Sequence, residues 1–277
     1  MTMAQSSWHD LQYLPSLTVK DAAGVVPEWW KRAAHTRRRF AAMGDIKYGA
    51  HPREVLDLFR AENARGTLVY IHGGYWRSFS KLETSWVADG FIEQGYSVVL
   101  INYPLCPDVS LAHIRASVLS AFAYLYHNVL NENEQRSIVV SGHSAGGHLA
   151  ALHLVADWRS YKLPENPIHG VISLSGVFDV APLIRTSLNS DLRLTEQTAR
   201  SLNLNSSQPK SDATLILAVG ALESEEFHRQ SADLARSWIS LAPQLVDVPD
   251  LNHYTIVDSL AEKHGVLHRL ACDMLSG

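Results

Sequence analysis

Two cysteines, Cys106 and Cys272, are all that the chain carries in 277 residues. They allow one bridge at most in a chain long enough to build a core without it. A disulfide scaffold is therefore excluded and a reducing compartment expected. No run of about 18 apolar residues occurs, so no membrane-spanning helix is expected. Residues 1–17 lack the basic start and apolar stretch of a secretion signal, which makes the cytoplasm the expected location. A stripe of positive charge is missing too: 24 Lys and Arg stand against 28 Asp and Glu, a formal net charge of −4. That balance supplies too little field to hold phosphate backbones or an anionic bilayer surface. Nucleic acid and membrane are not expected as partners; a small molecule is, and a homodimer is an allowed assembly. Internal repeats are absent, and low complexity is confined to Ser201–Gln208.

What is present is an apolar fraction of 46%, with 14 His and 7 Trp as the compositional oddities. Chains of this length commonly form one α/β unit around a single core. Residues 1–45 carry Trp8, Trp29 and Trp30 and a basic patch at Lys31, Arg32 and Arg37–Arg39, with a helix expected from Pro27 to about Ala42. They read as an N-terminal extension that either packs on the body or covers a pocket. Residues 46–277 read as one domain. Val55–Phe59, Thr67–Ile71 and Ser97–Ile101 suit strands, the last two being β-branched runs of the kind buried on both faces. Further strands are expected at Ser137–Ser141, Gly170–Ser175, Thr214–Val219 and Leu245–Val248. Helices are expected at Lys81–Gln94, Ala112–Val129, Ala145–Asp157 and Glu225–Leu241, with a last one from about Leu260. This alternation means βαβ units, hence a mostly parallel sheet flanked by helices. The stretch 180–210, with Pro182 and Pro209, is too long for a plain connection and reads as a small cap inserted over the strand ends.

The strongest chemical signal is Gly142-His143-Ser144-Ala145-Gly146, because it joins a buried strand to a helix that starts at once. A serine on so sharp a turn is held in a strained conformation above the sheet, and the residues two before and two after must be small for the turn to close, hence Gly142 and Gly146. The following helix favours developing negative charge at its start. A serine hydroxyl needs a base and preorganised donors for the oxyanion. His72-Gly73-Gly74-Tyr75-Trp76, directly after the strand ending at Ile71, has glycines that let backbone N–H groups approach the substrate closely and join the N–H of Ala145. For the base, the chain order Ser, acid, His points to His253 on the loop after Leu245–Val248. His143 and His148 are too close to Ser144 to swing back, and His148 is expected to pack on the sheet. His264 and His268 have metal-ligand spacing but read as a solvated helix face, so no metal and no cofactor are expected. The orienting acid is Glu223, three residues beyond Gly220, with Asp179, Glu225 and Glu226 as rivals. Trp76 is open to two roles, core packing or a wall beside the oxyanion loop.

These motifs, with Gly147-His148 and Glu223-Ser224-Glu225-Glu226-Phe227, resemble the α/β-hydrolase type of kynurenine formamidase (arylformamidase), within the hormone-sensitive-lipase-like esterases. The resemblance runs from about Tyr48 to the C-terminus and implies an α/β-hydrolase fold. It maps the nucleophile to Ser144, the base to His253, the acid to Glu223, and the oxyanion hole to Gly73, Gly74, Tyr75 and Ala145. Many relatives carry Asp where this chain has Glu223. The implied reaction is hydrolysis of N-formylkynurenine to formate and kynurenine, with Tyr75 and Trp76 as substrate-binding residues. Two alternatives use the same chain: a carboxylesterase for short acyl or aryl esters, and a ligand-binding protein on a hydrolase scaffold.

Overall fold

The computed structural model describes residues 7–277. Eight strands form one sheet: β1 (Ala42–Lys47), β2 (Val55–Phe59), β3 (Thr67–Ile71), β4 (Ser97–Ile101), β5 (Ile138–His143), β6 (Gly170–Leu174), β7 (Thr214–Gly220) and β8 (Gln244–Val248). Their order is β1-β2-β4-β3-β5-β6-β7-β8. β2 runs antiparallel to both of its neighbours, and every pair from β4 to β8 is parallel. Helices cover both faces, giving an α/β-hydrolase fold. No helix among the described residues is long and apolar enough to cross a membrane.

The central strands are apolar at consecutive positions because both of their faces are covered. Successive side chains alternate between faces: Val69 and Ile71 of β3 enter one core cluster while Leu68 and Tyr70 enter the other. Val99 and Ile101 of β4 divide from Val98 and Leu100 in the same way. The first core takes the helices Leu111–Asn128, Ala145–Leu152 and Glu225–Ser237; the second takes Ala22–Arg39, Ile256–Ala261 and Val266–Ser276.

Several elements depart from expectation. β1 was hidden within the presumed extension, because an edge strand with most residues exposed has no apolar alternation to read. The boundary at residue 45 therefore falls inside the sheet. The helix around Pro27 begins earlier, at Ala22, and stops at Arg39. Lys81–Gln94 is not one helix: only Ser85–Val87 and Ala88–Ile92 are helical. The buried Lys81 ammonium is held by Asp45 and Asp57, both at 2.8 Å, and this fixes the preceding segment as turns. The helix after Ser144 ends at Leu152, where the His153 carbonyl turns aside to accept the Trp158 indole N–H at 3.0 Å. The final helix is two helices, and at the Gly265 between them a Cβ would lie 2.0 Å from the Ser259 carbonyl.

Register does the positioning. Ile71 lies opposite Gly142, His143 opposite Leu174, Leu174 opposite Ala218, and Gly220 opposite Val248. The loops that follow β3, β5, β6, β7 and β8 consequently leave from one rim of the sheet, the carboxyl end at which open α/β sheets bind ligands.

Candidate active site

Ser144 lies between β5 and the helix Ala145–Leu152 with φ 56° and ψ −118°, outside the regions that side chains with a Cβ favour. Its N–H donates to the Leu174 carbonyl at 2.7 Å, which ties the elbow to β6. The two flanking glycines are required by space: a Cβ on Gly142 would lie 2.2 Å from the Gly146 carbonyl oxygen, and one on Gly146 only 2.1 Å from that of Ile71.

His253 sits on the loop beyond β8 with its side chain 5% exposed, against a Glu223 side chain that is fully buried. Its Nδ1 lies 2.6 Å from Glu223 Oε2. A carboxylate only accepts, so Nδ1 carries a proton, and in the neutral imidazole that leaves Nε2 its lone pair. The other Glu223 oxygen accepts from Ser175 Oγ at 2.5 Å and from the Gly220 N–H at 2.8 Å. Three donors thus hold one carboxylate, and Phe227 packs on the His253 ring with centroids 4.3 Å apart.

The glycine loop presses on the elbow from the β3 side. A Cβ on Gly73 would meet the His143 carbonyl oxygen at 2.8 Å and Ser144 Cβ at 3.3 Å. Gly74 (φ 97°), Tyr75 (φ 49°) and Trp76 (φ 55°) are all left-handed, so the chain curls tightly around the space above Ser144. Among the described residues the N–H groups of Gly74, Tyr75 and Ala145 have no backbone acceptor. Unpaired N–H groups beside a strained serine are the chemistry of an oxyanion site.

Ser144, His253, Gly74 and Tyr75 line a cavity of about 180 Å³. Leu14, Pro15 and Ser16 close it from the N-terminal segment, and Leu188 from the insertion 180–210. Tyr75 OH donates to the Tyr13 carbonyl, and Ser224 Oγ to the Gln12 carbonyl at 2.6 Å, which fastens that segment down. The extension therefore both packs on the body and lines the cavity. A larger cleft of about 440 Å³ beside Arg32, Trp86 and Glu262 contains none of these residues, and Arg32 pairs there with Glu262, and Arg39 and Lys263 with Glu93.

Other residues fall elsewhere. Trp76 does not reach the cavity: its ring is fully buried, edge-on to His148 at 5.4 Å, because the left-handed turn drives it into the core. Asp179 faces a separate cleft and accepts from the Ala181 N–H at 3.0 Å. Glu225 and Glu226 open the helix Glu225–Ser237, where Glu226 is bound by Arg229 and Tyr13. His148 packs on the core as expected, its Nδ1 2.8 Å from the Val177 carbonyl, and burial pushes its imidazole down to about 3. The solvated face expected for His264 and His268 holds for one of them: His264 is exposed, just ahead of the helix, whereas His268 is buried against Leu260 and Gln94.

Sequence reasoning passed over His143, which lines the cavity. Its Nε2–H donates to the His253 carbonyl at 2.6 Å, joining the elbow to the histidine loop, and the edge of Trp29 stacks on it at 6.4 Å. Burial, with His253 alongside, holds this imidazole well below its ordinary range and therefore neutral. Nothing local in the motif announces a bond spanning 110 residues.

A mostly parallel eight-stranded sheet, a strand–turn–helix serine and a buried histidine–carboxylate pair at one rim define an α/β-hydrolase. The chain belongs to the BD-FAE family, matched over residues 56–232, and to the family of the kynurenine formamidases. To the kynurenine formamidase of Salmo salar it is 30% identical over 246 residues, 83% of this chain and 81% of the relative. Among solved structures it is similar to a candidate thioesterase of Silicibacter sp. TM1040, with a TM-score of 0.83 at 30% identity over 92% of this chain and 95% of that one. Esterase B of Lactobacillus rhamnosis shares the fold, with a TM-score of 0.65 at 19% identity over 92% and 94% of the two chains. The protein is a hydrolase acting on ester or amide bonds.

Proposed function

We propose that this chain hydrolyses N-formylkynurenine to formate and kynurenine, using Ser144, His253 and Glu223. The observation that carries the reading is the meeting of Ser144, His253 and the glycine loop in one small cavity, in a chain whose relatives include kynurenine formamidases. Ser144 Oγ attacks the formyl carbon while its proton passes to His253 Nε2. Negative charge forming on the formyl oxygen is met by N–H groups of Gly73, Gly74, Tyr75 and Ala145, each such donor being worth about 3–4 kcal/mol. His253 then protonates the departing aniline nitrogen, and Ser144 is left as a formyl ester. A water deprotonated by His253 releases formate. Glu223 stays ionised throughout, holding the tautomer and stabilising the imidazolium.

Formyl is the smallest acyl group, so little of the cavity is needed on the acyl side. The leaving aryl amine extends along Tyr75, between the N-terminal segment and the insertion 180–210. An aryl amine leaves more readily than an alkyl one, which brings this amide within reach of an esterase-like site. The two unpaired cysteines accord with a cytoplasmic enzyme.

Hydrolysis of short acyl or aryl esters is the second reading, favoured by the fold shared with an esterase. Side-by-side assays of N-formylkynurenine and p-nitrophenyl acetate separate the two. A fast ester rate with formamide at background overturns the first. Labelling by a fluorophosphonate that persists in Ser144→Ala overturns both.

A further inference from the structure

Arg77 lies just past the glycine loop, its backbone N–H bonded to the Gly74 carbonyl at 3.0 Å. Arg77 lines the same cavity as Ser144 and His253. The lining also includes Leu14, Pro15, Phe79, Leu188 and Tyr254, and among its described residues Arg77 is the one with a permanently charged side chain. A guanidinium carries five N–H donors in a planar fork. Among the described residues only Nη1 has a protein acceptor, the carboxylate of Asp191 on the inserted segment. The two side chains are 37% and 35% exposed, so the pair lies at the protein surface. Asp191 steadies one edge of the fork and leaves Nε and Nη2 for a second carboxylate, the bidentate geometry that arginine favours.

We infer that Arg77 is a specificity-determining residue that binds a carboxylate on the leaving-group side of the substrate. The enzyme then selects anionic or zwitterionic aryl formamides and esters over neutral ones. This rests on the reading that Ser144 and His253 are the reacting pair, and adds the class of substrate they receive. Ser144 is 2% exposed and the Arg77 side chain 37%, so with the acyl end at Ser144 the leaving group points outward, towards Arg77. Phe79 and Tyr254 line the cavity together with Tyr75 and Arg77 and give an aryl ring apolar surface to pack on. N-formylkynurenine, an amino acid with its formamide at the opposite end, has a carboxylate in the required place.

The test measures kcat/KM of the full chain for two matched pairs. One is N-formylkynurenine against a neutral formanilide, and the other is acetoxybenzoate against phenyl acetate. The readout is the ratio of carboxylated to neutral substrate within each pair. Arg77→Gln is expected to lower that ratio about 10- to 100-fold, the range of a hydrogen-bonded charge pair, mainly through KM. Arg77→Lys should recover part of it. Asp191→Asn, which keeps the cation and loosens its tether, should move the ratio less. A loss of packing or of the cap contact slows both members of a pair alike, leaving the ratio unchanged, and that result overturns the inference. If neither formamide is cleaved but the esters are, the formamidase reading falls while the ester pair still decides the role of Arg77.

Discussion

Replacing Ser144 by glycine should remove activity and raise stability together. At φ 56° and ψ −118° the serine Cβ crowds its own backbone. The elbow holds it there through the Leu174 carbonyl at 2.7 Å and through the N–H groups of Gly147 and His148, which return to the Ser144 carbonyl at 2.8 and 3.2 Å. These are backbone bonds and survive the substitution. Conformations of this kind cost about 1–3 kcal/mol. The added freedom of glycine in the unfolded chain offsets roughly 0.5–1 kcal/mol of that. The net expectation is a gain of about 0.5–2 kcal/mol, or roughly 1–4 °C in Tm for a chain of this size. Ser144→Ala keeps the Cβ and hence the strain, so its Tm should stay close to that of the parent. Both variants lose the hydroxyl, and turnover should fall about a millionfold in each. Calorimetric melts of the three proteins at one pH, alongside residual hydrolysis, read both effects. A glycine variant that melts at or below the alanine variant refutes stored strain at the elbow.

Three further outcomes are expected. Glu223→Gln, which disturbs the carboxylate that fixes the His253 tautomer, should lower kcat by about ten-thousandfold, the scale seen when a triad acid is amidated, and far more than Asp179→Asn; kinetics with the ranking reversed would move the acid to the β6 loop. Burial pushes His72 and His148 down to about 3 and His153 down to about 4, whereas the unfolded imidazoles titrate near 6.5. The unfolded chain therefore takes up protons that the folded one refuses, so stability is full above the unfolded value and is lost as pH falls below it, by about 2 kcal/mol per histidine at roughly pH 5. Urea midpoints that stay level between about pH 7 and pH 5 would contradict this. Finally, the proposed reaction draws nucleophile, base and oxyanion donors from the chain itself, so dialysis against EDTA should leave the rate unchanged. A loss restored by a divalent cation would overturn the mechanism.

The amino-acid sequence by itself determined what near neighbours along the chain dictate. Thr67–Ile71 and Ser97–Ile101 are β-branched runs with no polar face, and they become β3 and β4 with both faces covered. Gly142 announces the elbow because the clash it avoids, with the Gly146 carbonyl, lies within one turn of chain, whereas Gly146 has to clear the Ile71 carbonyl of the neighbouring strand β3. The tertiary structure alone decided whatever rests on pairing across the sheet. Glu223 and Asp179 both follow strands, and only the alignment of β6, β7 and β8 brings the first to His253 and carries the second to another cleft. Trp76 read equally well as core or as wall until the left-handed turn at Tyr75 and Trp76 chose the core. The same holds for His143 against the His253 carbonyl, Lys81 between Asp45 and Asp57, and Tyr75 fastening the N-terminal segment. Each joins residues distant in sequence, through hydrogen bonds and charges whose partners no local pattern encodes.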